Sequence, residues 1–185
     1  SPLIERNTVV PVSRSHVTYP LQKGQTEILF RIYQGEAPFV KDNVKIGSLS
    51  VSIPRNMKDY EAVDVRFTYD ASGILEVLAK VISTGKATRL VIEGNPGSLS
   101  QAEIDARLKA LEGLKIHPRD QQENTAFMAR LSALYESLLG GEREMVREII
   151  REFEGALHSQ DARVIADCRQ RLEEPVTRLE NKDVF

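Results

Sequence analysis

The stretch from residue 63 to residue 81 constrains the fold most, because it carries two runs of alternating apolar and polar residues around one turn. Apolar side chains occupy alternate positions of 63–69 and again of 75–81, which is the period of a strand that buries one face. Residues 70–73 between the runs are Asp, Ala, Ser and Gly, and glycine takes positive φ at no steric cost. The pattern predicts an antiparallel hairpin.

Further short runs with the same alternation surround the hairpin. Residues 8–12, 26–33, 49–53 and 88–92 are rich in β-branched, aliphatic or aromatic residues, with proline, glycine or polar residues between the runs. Proline in the first of them favours the edge or the end of a strand. Residues 1–93 are therefore predicted to be all-β, with five or six short strands packed as a sandwich.

The hydrophobic period changes beyond residue 93. Residues 94–99 form a linker by composition, and Ser100 followed by Glu103 is a capping box that places a helix N-cap at Ser100. Apolar residues then recur every three or four positions in four successive segments. Residues 100–185 are predicted to be helical, and the last three helices should pack as a small bundle. The expected fold class is α+β, with an antiparallel β-sandwich followed by an α-helical bundle.

Composition excludes several classes of protein. The 185 residues are 41% hydrophobic, and no apolar run reaches the roughly 18 residues of a membrane span. The single cysteine, Cys168, excludes a disulfide framework and suits a reducing compartment. A net charge of −2 and the absence of Trp give no basic footprint or stacking platform for nucleic acid.

The sequence contains no group of residues that indicates catalysis or metal binding. His16, His117 and His158 lie far apart and have no metal-ligand spacing. Cys168 falls on the apolar stripe of the last helix, which is typical of a small buried side chain. The Gly-Lys pair in residues 83–88 lacks the upstream glycine of a phosphate loop and precedes a strand, so a hairpin turn is the favoured interpretation.

Several motifs of the first half resemble, in the same order, those of the seventy-kilodalton heat-shock chaperones, the DnaK family. The motifs cover nearly all of residues 3–92, whereas the helical half follows the family only loosely. Residues 114–120 are more similar to the HscC-type branch of bacterial relatives. The matching stretches are Leu3–Pro11 (LIERNTVVP), Gln25-Thr26 with Tyr33–Glu36 (YQGE), Asp42-Asn43 with Ile46-Gly47, Val63–Ala79, and Thr84–Lys86.

The resemblance implies a substrate-binding domain that holds an extended apolar stretch of unfolded polypeptide beneath a helical lid. Carried over by position, the groove residues are Thr18, Tyr19 and Leu21 after the first strand, and Ile28 and Phe30 on the next. Tyr19 is the expected substitute for a phenylalanine that the family has where Thr18 stands. The lid residues that would face the groove are Phe127 and Leu131.

The resemblance also implies partners outside these residues. In the family a first strand, an arching loop and a nucleotide-binding domain precede the point where this chain begins. ATP and Mg²⁺ belong to that domain, so the chain is expected to have no enzymatic activity and to hold no cofactor. The expected partners are unfolded polypeptides, a J-domain co-chaperone and the nucleotide-binding domain, with no nucleic acid and no membrane. The expected location is the bacterial cytoplasm.

A second hypothesis is a non-catalytic interaction module that uses the helical bundle to dimerise or to bind a partner protein. Phe127 and Leu131 motivate it, because an apolar helix stripe can serve a partner as well as a core. An enzyme is the least favoured class, since no nucleophile, base or ligand set was found.

Overall fold

The structure is a computed structural model that describes residues 3–5 and 7–182. Over these residues the chain forms six strands followed by four α-helices. Antiparallel sheets followed by helices confirm the predicted fold class. The chain divides into two compact units, residues 1–115 and 116–185. The elements are β1 (Val12–Thr18), β2 (Glu27–Gln34), β3 (Val44–Ser52), β4 (Val63–Tyr69), β5 (Ile74–Val81), β6 (Ala87–Glu93), α1 (Gln101–Ala110), α2 (Gln122–Ser137), α3 (Gly140–Ser159) and α4 (Ala162–Lys182).

The first unit contains two antiparallel sheets. One has four strands in the order β1-β4-β5-β6, and the other consists of β2 and β3. The predicted hairpin is confirmed as β4 and β5, with Val63 opposite Val81 and Tyr69 opposite Leu75. These two strands lie at the centre of the larger sheet, which explains their strong alternation in the sequence.

The core of the first unit is formed by apolar side chains from both sheets. Val63, Val77 and Val81 of the larger sheet are fully buried, and Val51 of β3 is nearly so. Gly47 lets β3 approach β6, because a Cβ atom there would lie 2.8 Å from Cδ1 of Ile92. Close packing of this kind leaves little room for an added methyl group.

The first strand differs from its predicted position. Residues 8–12 were expected to form it, whereas β1 begins at Val12 and pairs with β4 through Thr18. The segment was missed because its buried side chains are polar. The Oγ atom of Ser13 lies 3.1 Å from Oγ1 of Thr68, and the guanidinium of Arg66 donates to Ser13 and Ser15 at 3.2 Å.

Helix α1 packs on the outer face of the larger sheet. The predicted capping box is present: Ser100 Oγ accepts from the Glu103 amide at 3.4 Å, and the Glu103 carboxylate accepts from the Ser100 amide at 2.8 Å. Hydrogen bonds from Ser100 hold the pKa of Glu103 below its ordinary value. Ile104 and Leu108 of α1 cluster with Ile74 of β5. The helix therefore belongs to the first unit, although its sequence period groups it with the later helices.

Five side chains of alternating charge join α1 to the sheet, and we call them the charge chain. In order, they are Asp105, Arg89, Glu76, Lys115 and Glu112, with nitrogen–oxygen distances of 3.4, 2.7, 2.6 and 2.7 Å. Only 4% of the Glu76 side chain is exposed. Burial lowers the pKa of Lys115, but hydrogen bonds to Glu112 and Glu76 outweigh burial, so the pKa lies above its ordinary value.

Glu76→Gln should loosen α1 from the sheet, because it removes the charge that two cations share. Losing a charged hydrogen bond in a buried position costs roughly 1.5–3 kcal/mol. The measurement is hydrogen exchange of residues 101–115, followed by mass spectrometry, and we expect faster exchange in the variant. The matched control is Glu112→Gln, which removes an exposed partner of the same Lys115. Equal exchange in both variants would show that the buried carboxylate has no special role.

The second unit is a bundle of α2, α3 and α4, as the apolar stripes predict. The rings of Phe127 and Phe153 meet edge to face with centroids 4.9 Å apart. Helix α4 continues through Pro175 rather than ending there. Among the described residues, no helix is both long and apolar enough to cross a membrane. The core of the bundle comprises Phe127, Leu131, Leu134, Leu138, Val146, Ile149, Phe153, Ala156, Leu157, Ile165, Cys168, Leu172, Val176 and Leu179.

Arg130 connects α2 to α4 at the edge of the bundle core. Its guanidinium donates to Glu173 at 2.7 Å and to both carboxylate oxygens of Glu180 at 2.9 Å. The hydrogen bonds from Arg130 lower the pKa of Glu180. The bidentate geometry with Glu180 makes this pair more favourable than an ordinary surface ion pair.

Arg130→Gln should destabilise the bundle in a pH-dependent way. The pKa of Glu180 is lower in the folded state than in the unfolded state. The ionised carboxylate therefore contributes its full share to the stability of the fold above the ordinary glutamate pKa of about 4.3. The contribution is lost as the pH falls through the lower folded value. We expect the variant to lose about 0.5–1 kcal/mol of the free energy of unfolding at neutral pH, and less in acid. The measurement is urea unfolding followed by circular dichroism. Arg178→Gln, which removes a pair within α4, should have a smaller effect at neutral pH.

Candidate functional site

Two loops meet at one end of the sandwich, which we call the loop end. One is residues 19–26 between β1 and β2, and the other is residues 53–62 between β3 and β4. Thr18 ends β1 opposite Val63, and Val63 is in turn opposite Val81. The end of β1 and the start of β4 are therefore neighbours in the sheet. The first loop follows β1 and the second precedes β4, so both loops lie at the same end of the sandwich.

Backbone hydrogen bonds hold the two loops together. The amide of Gly24 donates to the carbonyl of Asn56 at 2.7 Å, and the amide of Ile53 donates to the carbonyl of Thr26 at 2.9 Å. Lys23 adds a side-chain contact, because its Nζ donates to the carbonyl of Lys58 at 2.7 Å. The two loops therefore form one braced surface.

Gly24 is required at the crossing of the loops for two reasons. Its φ of +78° lies in the left-handed region, which glycine adopts without strain. A Cβ atom on Gly24 would also lie 2.3 Å from Sδ of Met57. Any other residue would push the loops apart or displace Met57.

Three of the predicted groove residues lie at the loop end. Thr18 is half-buried at the end of β1, while 57% of Tyr19 and 91% of Leu21 are exposed. On the facing loop, 64% of Met57 is exposed and so is a large part of Tyr60. The loop end is thus an exposed surface with large apolar side chains on both loops.

The other two predicted groove residues lie deeper. Ile28 is the second residue of β2, directly after the first loop, and it is buried in the sandwich core opposite Val51. Phe30 is half-buried and packs against the same core. The structure thus brings Thr18, Tyr19 and Leu21 to the surface and directs Ile28 and Phe30 into the interior.

The predicted lid residues lie inside the second unit. Only 2% of Phe127 and none of Leu131 is exposed, and both belong to the bundle core. Their helical spacing is explained by burial against α3 and α4. In this structure neither side chain is accessible to a ligand, so the lid-facing role is not visible in it.

Lys23 has a role that its sequence position does not suggest. In the structure its ammonium donates to Lys58 and lies 5.4 Å from the ring centroid of Tyr60, a cation–π distance. Lys23 therefore stabilises the loop end itself.

Sequence reasoning missed the second loop. Met57 and Tyr60 carry no periodic signal, and the available clue was only the turn chemistry of Asn56 and Asp59. The Asn56 side chain accepts from the amides of Lys58 and Asp59 at 3.0 Å, as Asn commonly does in turns. That clue predicts a turn but not which loop it would pack against.

Comparison with known sequences identifies the family. The sequence profile described as Hsp70 protein matches residues 1–184, and the chain belongs to this family. It is 29% identical over 179 residues to the chaperone protein DnaK of Thermotoga petrophila, covering 96% of this chain and 27% of the relative. It is 32% identical over 182 residues to the mitochondrial heat shock protein SSC3 of Saccharomyces cerevisiae, covering 98% of this chain and 27% of the relative. The chain thus spans about a quarter of the length of these relatives.

Gly24→Ala should separate the two loops. The added methyl group combines left-handed strain of about 1–2 kcal/mol with the clash against Met57. Gly85→Ala is a matched control, because Gly85 also has positive φ, +71°, but open space around its Cβ position. The measurement is hydrogen exchange of residues 19–26 and 53–62. We expect faster exchange in both loops only for Gly24→Ala, and no difference between the variants would contradict the proposed brace.

Proposed function

We propose that this chain is the polypeptide-binding part of an Hsp70-type chaperone, and that its loop end contacts extended apolar segments of unfolded polypeptides. The observation that carries the proposal is the exposure of Tyr19, Leu21 and Met57 on two braced loops. Single exposed apolar residues are common on any protein. Several of them on one rigid surface are typical of an interaction site.

The hydrogen bonds that hold the two loops together matter for binding as much as the exposed side chains do. A ligand that must first order a loop loses part of its binding energy to that ordering. Here Gly24, Asn56, Lys23 and Lys58 already fix the loops to each other. Tyr19 and Leu21 can therefore contact a segment with a smaller entropic cost.

The expected affinity is modest. Burying one leucine side chain contributes roughly 1.5–3 kcal/mol, and each backbone hydrogen bond to an extended segment adds roughly 1 kcal/mol. The cost of ordering the segment offsets part of this gain. The remainder corresponds to micromolar binding at best, about −8 kcal/mol. Selectivity would follow apolar, extended character rather than one sequence.

The remaining expectations form part of the same proposal. The proposed function of this chain is binding alone. ATP and Mg²⁺ would bind to the family's nucleotide-binding domain. That domain and a J-domain co-chaperone would be its partners. The relation to the HscC-type branch rests on residues 114–120. A bacterial cytoplasmic location rests on the resemblance, and the relatives include both bacterial and mitochondrial proteins.

The alternative of a dimerisation module is less well supported. It was motivated by Phe127 and Leu131, and both are buried in the bundle core. Since these side chains already have partners within α2, α3 and α4, they offer no surface to a second protein.

Leu21→Ser should weaken peptide binding. The measurement is fluorescence anisotropy of a labelled, leucine-rich extended peptide titrated with the chain. We expect a loss of affinity of roughly tenfold or more, because the 1.5–3 kcal/mol from burying one leucine is lost. Phe39→Ser is the matched control, since Phe39 is 64% exposed but lies in the β2–β3 connection at the opposite end of the sandwich.

Two results would contradict the proposal. One is the absence of peptide binding to the unchanged chain at high micromolar concentration. The other is an equal loss of affinity in both variants, which would indicate non-specific apolar contact. Circular dichroism of each variant checks that the fold is preserved.

A further inference from the structure

The loop end carries three exposed cations, although the chain as a whole is acidic. Lys23 belongs to the first loop, Arg55 and Lys58 belong to the second, and all three side chains are exposed. The whole chain has a net charge of −2. An excess of one sign of charge on a surface attracts ligands of the opposite sign. The acids at this end therefore decide whether the three cations matter.

The acids near the two loops do not neutralise these cations. Only 7% of Glu61 is exposed, whereas Asp59 is exposed and its carboxylate accepts from the amide of Tyr60 at 2.8 Å. Glu27, which follows the first loop, is exposed and accepts from the hydroxyl of Ser50. Within the described part of the chain, none of these acids forms an ion pair with a cation of the loop end. The exposed charge of the two loops is therefore positive.

A third connection adds another cation at the same end of the sandwich. Residues 82–86 join β5 to β6, and Val81, which precedes them, is opposite Val63 at the start of β4. This connection contains the exposed Lys86 and no acid. Together with the two loops it gives four exposed cations against two exposed acids, with Glu27 counted among the acids.

Arg55 and Lys58 are the cations of the two loops that a ligand can engage. Among the described residues, neither side chain forms an ion pair or a hydrogen bond. Arg55 reaches the first loop, because its Nε atom lies 3.9 Å from the position of a Cβ atom on Gly24. It therefore lies at the crossing of the loops, where the exposed Met57 also contacts Gly24. Lys23 is already engaged, since its ammonium donates to the Lys58 carbonyl.

We propose that the loop end prefers extended apolar segments that carry Asp or Glu beside their apolar residues, with Arg55 and Lys58 binding the carboxylates. This inference rests on the proposed function and names the class of segment that the site selects. The apolar part of the segment contacts Leu21 and Met57. An arginine guanidinium can donate two parallel hydrogen bonds to a carboxylate, and the lysine stem can lie along apolar surface while its head reaches an acid.

Three nonapeptides with the same central leucine run and an uncharged fluorophore test the proposal by fluorescence anisotropy at low salt. The two positions that flank the run are glutamate in the first peptide, glutamine in the second and lysine in the third. Because the chain has a net charge of −2, an unspecific effect of net charge would favour the lysine peptide. A preference for the glutamate peptide therefore reports the local charge of the loop end.

Two double variants locate the cations that are responsible. The first is Arg55→Gln with Lys58→Gln. The second, Lys41→Gln with Lys45→Gln, is the matched control, because it removes the same net charge at the opposite end of the sandwich, between β2 and β3 and at the start of β3. Lys23 stays unchanged, since it holds the two loops together. All four substituted side chains are exposed, so both variants should fold.

The unchanged chain should bind the glutamate peptide about fivefold more tightly than the glutamine peptide, which is the effect of one or two exposed ion pairs. It should bind the lysine peptide most weakly. The first double variant should reduce the fivefold ratio to less than twofold by weakening the glutamate peptide, and the control variant should keep the ratio. In 1 M salt, where the screening length is only about 3 Å, the ratio should fall below twofold in the unchanged chain as well.

The outcomes separate this inference from the proposed function. Equal binding of the glutamate and glutamine peptides, or tightest binding of the lysine peptide, would overturn the preference and leave polypeptide binding intact. A preference that persists in the first double variant would overturn the role of Arg55 and Lys58. The comparison of the three peptides and the salt test need no variant, so they decide the matter even if a variant folds poorly. If no peptide binds to any form of the chain, the proposed function fails and this inference fails with it.

Discussion

Burial of the two-stranded sheet against the four-stranded sheet is the interaction on which the first unit depends. A pair of strands is marginally stable by itself in water, so β2 and β3 are held by packing their inner faces on β4, β5 and β6. Gly47 makes this packing close by leaving room for Ile92. The first loop ends on β2 and the second begins on β3. The positions of both loops therefore follow from this sheet-on-sheet contact.

Glu76 shows how a buried acidic residue can hold two elements of the first unit together. Glu76 is buried under α1 and satisfied by Arg89 and Lys115, two cations of its own unit. Such an arrangement fixes structure, because the buried carboxylate of Glu76 would be poorly solvated without these cations.

The sequence predicts the periodic parts of this fold and misses the parts set by long-range contacts. The hairpin of residues 63–81, the capping box at Ser100 and the apolar stripes of the bundle follow from spacing alone, and all are present. Strand β1 was misplaced because its buried Ser13 and Ser15 are polar, and only their contact with Arg66 makes burial possible. Similarly, residue type alone predicts that Glu61 is exposed, whereas only 7% of it is exposed in the structure. The next residue, Ala62, accepts a hydrogen bond from the Ile82 amide, a long-range pairing that no local pattern encodes.

The predicted groove illustrates the same limit. Alternation correctly places Ile28 and Phe30 on one face of β2, but it also places Ile32 there, and all three pack on the sandwich core. One face of a strand cannot fill the core and at the same time present its whole surface to a ligand. Contact with a bound segment at this end would therefore fall mainly to the loops, where Tyr19 and Leu21 are exposed. Because the loops are braced through backbone atoms rather than through these side chains, the side chains can contact varied apolar segments while the surface beneath them keeps its shape.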